Sequence, residues 1–128
     1  MTAPPETLAG RHILIAEDEY LIARDMEHTL VDAGCAQVSV VPSIDACLSA
    51  AAHSRPDAVV LDLRLRDGDA GDLARQMRSN GLPVIFITGY EETAIPDDLT
   101  DLPVLAKPIP RKRLVCALVT ALEARFSR

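Results

Sequence analysis

Ile13-Leu14-Ile15-Ala16-Glu17-Asp18 is a run of four apolar residues that stops abruptly at two carboxylates. Runs this short and this apolar suit strands buried on both faces, as in a parallel sheet. Three more follow: Gln37-Val38-Ser39-Val40-Val41, Ala58-Val59-Val60-Leu61 and Val84-Ile85-Phe86-Ile87. Pro103-Val104-Leu105-Ala106 is a fifth and the weakest.

The stretches between these runs carry helical spacing. Leu21, Ile22, Met26, Leu30 and Ala33 mark a first helix, which Gly34 stops. Ser43 is placed to cap a second, burying Ile44, Cys47, Leu48 and Ala51. Leu73, Ala74 and Met77 mark a third, ending near Asn80-Gly81. Leu114, Val115, Leu118, Val119, Leu122 and Phe126 mark a long last one. From Tyr90 to Leu102 the pattern is poor and Pro96 interrupts it, so a helix there is expected to be short or irregular. Strands and helices in alternation predict an α/β fold: a doubly wound (βα)5 flavodoxin-like sandwich, its parallel sheet in the order 2-1-3-4-5. Residues 1–10 read as an N-terminal tail and residues 11–128 as one domain.

The 128 residues include 13 basic and 19 acidic side chains, for a formal net charge of −6, and 48% are hydrophobic. That hydrophobic share excludes a disordered chain. No apolar run reaches the ~18 residues of a membrane span, and the N-terminus lacks the basic-then-apolar order of a secretory signal. A negative balance with only two Tyr and two Phe argues against direct nucleic-acid binding, which favours basic surfaces and stacking platforms. Cys35, Cys47 and Cys116 are odd in number and far apart, and read as free, small apolar residues of a reducing cytosol. A cytoplasmic location is therefore expected. His12, His28 and His53 show no metal spacing, and no catalytic role is assigned to them.

In open α/β sheets, ligands sit beyond the carboxyl ends of the strands, where the strand order reverses. Here that point falls between the first and third strands. Around it the sequence sets Glu17-Asp18, Asp62, Thr88 and Lys107, each at a strand end. Carboxylates crowded at one point repel: two charges ~4 Å apart cost about 4 kcal/mol at an effective dielectric near 20. Either one is protonated or a cation sits among them. An all-oxygen set with room for water suits Mg2+. Lys107 adds an ammonium and Thr88 a hydroxyl. Together these groups suit phosphoryl transfer, with Asp62 as nucleophile on phosphorus and the others stabilising the transferring oxygens. Singly, Asp62 reads as a cap, Thr88-Gly89 as a turn and Lys107 as a solvated side chain. Their joint occurrence at successive strand ends carries the functional reading.

The motifs are Ile13-Leu14-Ile15-Ala16-Glu17-Asp18-Glu19, Val59-Val60-Leu61-Asp62-Leu63-Arg64-Leu65, Phe86-Ile87-Thr88-Gly89-Tyr90 and Ala106-Lys107-Pro108. On these, from His12 to Phe126, the chain resembles the receiver domain of bacterial two-component response regulators. The resemblance implies that Asp62 accepts phosphate from a sensor histidine kinase or phosphotransfer protein. It implies Mg2+ held by Asp18, Asp62 and the Arg64 backbone carbonyl, with Glu17 acting through a metal-bound water. Thr88 and Lys107 would contact the phosphate, and the Lys107–Pro108 peptide would be cis. Such a protein catalyses only its own phosphorylation and dephosphorylation, so no further enzyme activity is expected. Signalling would pass to a downstream protein partner, with the face of the fourth helix, fifth strand and fifth helix as the dimer or partner surface.

The sequence departs from the commonest pattern in four places. The acidic pair is Glu-Asp. Val104 stands where many receivers carry an aromatic switch residue. The loop Arg64-Leu65-Arg66-Asp67-Gly68-Asp69 replaces a Leu-Pro turn, and the fourth helix looks short. The last three, with Phe-x-Thr-Gly-Tyr, look like a subgroup of single-domain receivers. Tyr90 is then the candidate replacement for the aromatic switch, beside Thr88 and Val104. Arg64 at the rim and Arg111-Lys112-Arg113 at the start of the last helix read as solvated charges or as contacts for a partner. Only two residues follow Phe126, so no output domain is expected. A phosphate shuttle or sink and a phosphorylation-independent binding module are the alternatives. A small-molecule phosphatase of the haloacid-dehalogenase kind would need a second acid where Arg64 stands.

Overall fold

The structure, a computed structural model, describes residues 8–89 and 95–126, with side chains to residue 124. Tyr90 and the Phe126 side chain lie outside these. Along the chain run β1 (His12–Ala16), α1 (Tyr20–Asp32), β2 (Gln37–Val41), α2 (Ile44–His53) and β3 (Ala58–Asp62). A small hairpin of β4 (Arg64–Leu65) and β5 (Gly68–Asp69) follows, then α3 (Gly71–Ser79), β6 (Val84–Thr88) and a single 3-10 turn (Asp97–Leu99). β7 (Val104–Ala106) and α4 (Arg111–Phe126) end the fold. The central sheet is parallel in the order β2-β1-β3-β6-β7. This is the expected 2-1-3-4-5 arrangement with a hairpin interposed.

Side chains alternate across a strand, and the two faces of β1 part accordingly. Ile13 and Ile15 pack with Met26 and Leu30 of α1 and Leu114 and Leu118 of α4. Leu14 and Ala16 pack with Cys47 of α2 and with Leu73 and Met77 of α3. Every residue of β3 and β6 is buried. Burying one such aliphatic side chain contributes about 1.5–3 kcal/mol, so the double-sided core supplies most of the driving force.

α1 differs from its expected face at one position. Leu21 is 79% exposed, while Ala23, Met26, Thr29 and Leu30 are buried. At 100° per residue, Leu21 lies about 140° from Met26, off the stripe that the other apolar residues share. The Thr29 hydroxyl is satisfied locally, donating to the Asp25 carbonyl at 3.0 Å. Gly34 ends the helix turn at φ 100°, and its Cα approaches Ala9 so closely that a Cβ would lie 3.3 Å from the Ala9 Cα. Both facts call for glycine.

α2 is capped twice. Ser43 Oγ accepts the Ala46 N–H at 3.1 Å, as its sequence position predicts. Asp67, from the hairpin, accepts the Ile44 N–H at 2.8 Å and the Asp45 N–H at 3.2 Å. The Ile44 bond leads in holding the Asp67 carboxyl below the usual carboxylate range. Of the span from Tyr90 to Leu102, where a short or irregular helix is expected, the described residues from 95 on form one 3-10 turn and are tied to α3. Arg75 grips Asp98 through two nitrogens, at 2.8 and 3.1 Å, and Arg78 grips Asp101 at 2.7 and 3.0 Å. Leu99 is buried beneath.

The cysteines are free. Cys47 is buried, and burial pushes its thiol up to about 12. Cys35 is half-buried, but Cys116 is exposed, so it does not fit the expectation of a buried apolar residue. Arg111 is also more than a solvated charge: it spans α4 to α1, lying 3.5 Å from Asp32 and 3.9 Å from Asp25. Among the described residues, no helix is long and apolar enough to cross a membrane.

The packing separates two large apolar positions, Phe86 and Leu21, that the sequence alone reads as buried alike. Phe86→Ala, in the middle of the buried sheet, is expected to cost about 3–5 kcal/mol. Leu21→Ala is expected to stay within about 0.5 kcal/mol. Urea unfolding with unchanged slope is the measurement.

Candidate functional site

Parallel strands deliver their last residues to one edge, and here these residues are polar. β1 ends at Ala16, so Glu17 and Asp18 emerge at the sheet edge, and the Glu17 N–H is fixed to the Val41 carbonyl at 2.9 Å. β3 ends in Asp62 itself. β6 ends in Thr88, and β7 is followed by Lys107 and the cis Lys107–Pro108 peptide. The Lys107 N–H donates to the Thr88 carbonyl at 2.8 Å, tying the two strand ends together. Glu17, Asp62 and Thr88 are buried polar residues in an otherwise apolar core.

The structure brings Glu17, Asp18, Asp62 and Lys107 together, with Thr88 joined to Lys107 through its backbone. Carboxylate oxygens of Glu17, Asp18 and Asp62 lie within 4.8 Å of one another. The Lys107 ammonium donates to Asp62 Oδ2 at 2.8 Å. It lies 2.9 Å from Glu17 Oε1. It also donates to Glu19 Oε1 at 2.8 Å. Asp62 Oδ1 accepts the Arg64 N–H at 3.1 Å, so the hairpin begins by orienting the aspartate. The Arg64 side chain is exposed at the rim. Val104 lies on edge strand β7, opposite Phe86, and is 39% exposed.

Two electrostatic consequences follow. Burial pushes the Glu17 carboxyl up to about 7, against the pull of the Glu19 N–H and of Lys107 and with a further push from Asp62. Burial also works against the charge on Lys107, but its bonds to Asp62, Glu19 and Glu17 outweigh this and hold it above the ordinary lysine value. Glu17 Oε2 accepts the Glu19 N–H at 3.0 Å. Glu17 Oε1, fully buried, accepts no hydrogen bond among the described residues; it faces the Lys107 ammonium as an ion pair, with the Asp62 carboxylate close by. An acceptor left open among three carboxylates is what a hard cation or its water would fill. The donor set thus fits Mg2+.

Glu19 is the member that the strand-end argument missed. It belongs to no strand end but is the N-cap residue of α1, and its side chain makes no capping bond. Its position beside the acidic pair was the only signal.

A doubly wound sheet with an acidic pair, a third carboxylate, a threonine and a lysine at its strand ends is the arrangement expected of a receiver domain. The family model for the response regulator receiver domain matches residues 13–119, and the chain belongs to that family. The transcriptional regulatory protein PdtaR of Mycobacterium tuberculosis is 26% identical over 131 residues, covering 99% of this chain and 62% of PdtaR. The phyllosphere-induced regulator PhyR of Methylorubrum extorquens is 37% identical over 83 residues, covering 62% of this chain and 31% of PhyR. The chain thus spans under two thirds of the length of either relative. A receiver protein from Sinorhizobium medicae superposes with a TM-score of 0.76 at 30% identity, covering 93% of this chain and 99% of that one. PhyR of Brucella abortus shares the fold, with a TM-score of 0.77 at 24% identity over 95% of this chain and 51% of that one.

The crowding makes Lys107 a structural cation as well as a site residue. Lys107→Ala should lower stability by about 3–5 kcal/mol in metal-free buffer, because it leaves buried carboxylates uncompensated. Millimolar Mg2+ should recover much of that loss by binding the native state alone. Thermal melting with and without Mg2+, at matched ionic strength, is the check.

Proposed function

We propose that this receiver accepts a phosphoryl group on Asp62 from a histidine kinase or phosphotransfer protein, in a Mg2+-dependent step, and signals to a protein partner. One observation carries the reading: the Asp62 carboxylate lies within hydrogen-bonding distance of the Lys107 ammonium and within 4.8 Å of two further carboxylates. Glu17, Asp18, Asp62 and the Arg64 carbonyl would hold the cation. When bound, it neutralises the oxygens of the transferring group and draws them toward Asp62.

An Asp62 oxygen forms the new O–P bond while the bond from phosphorus to the donor nitrogen breaks, the electron pair staying on the imidazole. The Arg64 N–H fixes the other Asp62 oxygen, so the nucleophile approaches in one orientation. The Lys107 ammonium exchanges one of its carboxylate partners for a phosphoryl oxygen, and the Thr88 hydroxyl takes another. The acyl phosphate carries up to about two negative charges where the Asp62 carboxylate carried one, and sets them on three oxygens. That charge pulls on Thr88 and Lys107 together, because a backbone hydrogen bond already joins them. The pull reaches β7 and the segment 95–102 that leads into it. The shift between resting and phosphorylated forms is limited by how differently the two hold the phosphoryl group. The output surface on this reading is the face formed by that segment, β7 and α4, with exposed Val104 in it.

Intact mass after incubation with Mg2+ and acetyl phosphate tests the proposal. One added phosphate on the wild type, absent from Asp62→Asn and absent without Mg2+, is the expected outcome. A phosphate that persists on Asp62→Asn would remove Asp62 as the acceptor.

A further inference from the structure

We propose that Glu19 is a positioning residue for the phosphoryl-transfer step, acting by competing with the incoming phosphoryl group for the Lys107 ammonium. The inference deepens the function proposed above and rests on it. Lys107 Nζ has three protons to give. Two are given in hydrogen-bond geometry, to Asp62 Oδ2 and to Glu19 Oε1, both at 2.8 Å. The third side of the ammonium is taken by the ion pair with Glu17 at 2.9 Å. The resting ammonium is fully engaged, so a phosphoryl oxygen reaches it only by displacing a carboxylate.

The three carboxylates are not equally displaceable. The Glu17 side chain is fully buried and pinned through its other oxygen to the Glu19 N–H. Asp62 is the nucleophile itself. Glu19 is 59% exposed, so water takes over when it releases Lys107. It is therefore the anion that yields, and the strength of its hold sets how readily the ammonium changes partners. A second observation points the same way. Glu19 occupies the N-cap of α1, where a side-chain oxygen ordinarily bonds a helix N–H, yet it makes no such bond and reaches 88 residues along the chain to Lys107. Lys107 stays an ammonium throughout and only exchanges acceptors. With acetyl phosphate as donor, Asp62 gains an O–P bond and acetate leaves with the electron pair of the bond that breaks.

Glu19→Gln keeps the shape of the side chain and removes the competing charge. In Mg2+ and acetyl phosphate, Asp62 should be phosphorylated about two- to fivefold faster, the scale of one exposed ion pair. A merely structural role would lower the melting temperature without speeding phosphate uptake. The decisive comparison is the same substitution in a Lys107→Ala background, where the acceleration should vanish because there is no ammonium to compete for. An equal acceleration in both backgrounds would mean simple relief of repulsion toward an anionic donor and would overturn the proposal, as would an unchanged or slower single variant. If Lys107→Ala takes up phosphate too slowly to time, a cycle of melting temperatures over the same four proteins in metal-free buffer replaces it. Additive effects there would also overturn the proposal. A wild type that takes no phosphate at all would instead sink the receiver function on which the inference stands, while the melting cycle would still report whether Glu19 and Lys107 are coupled.

Discussion

One ammonium group holds together carboxylates that would otherwise drive one another apart. Glu17, Glu19 and Asp62 all meet Lys107 within 2.9 Å, and Asp18 lies beside them. The arrangement is tolerable because the buried carboxylates of Glu17 and Asp62 both face the Lys107 ammonium. Lys107 is only 12% exposed, but its partner Glu19 opens to water. The site is thus poised: it needs positive charge to exist, and it holds only one fixed unit of it. A divalent cation, which the donor set suits, would enter an existing competition, as would the phosphoryl group of the proposed function.

The sheet makes this crowding unavoidable. Three strands buried on both faces, β1, β3 and β6, carry apolar residues along their length, so their polarity is confined to where they stop, while β2 at the sheet's edge is more exposed than its apolar run suggests. Parallel pairing then brings those stops to one edge. The helices follow the same logic, with α1 and α4 covering one face and α2 and α3 the other. In the connection between β6 and β7, the described residues 95–103 carry one 3-10 turn, Asp97–Leu99. The two arginine–aspartate grips onto α3 and the burial of Leu99 hold it in place of a long helix.

Much of this was legible in the chain. Strand order and helix placement followed from apolar runs and their spacing, because a two-sided core leaves continuous runs that no other element explains. Asp62, Thr88 and Lys107 were legible because strand ends are easy to locate once strands are. What escaped were the contacts that join distant segments through long side chains. Glu19 finds Lys107 across 88 residues, and Asp67 finds α2 across 22 or 23. No periodicity records such a meeting. Leu21 was misplaced for a different reason. It stands next to Ile22, and a run of apolar letters conceals which of two neighbours turns outward.

The hairpin after Asp62 does two jobs with one short stretch of backbone. At its start the Arg64 N–H orients Asp62, and at its tip Asp67 closes the open end of α2. Loop and helix therefore form a single inheritable unit. Drift in length between residues 64 and 69 is restrained by a helix that begins 20 residues earlier in the chain. A loop transplanted from another receiver would bring its own chemistry to the rim but leave α2 with one cap in place of two. For this chain, residues 64–69 and the first turn of α2 are best exchanged together or not at all.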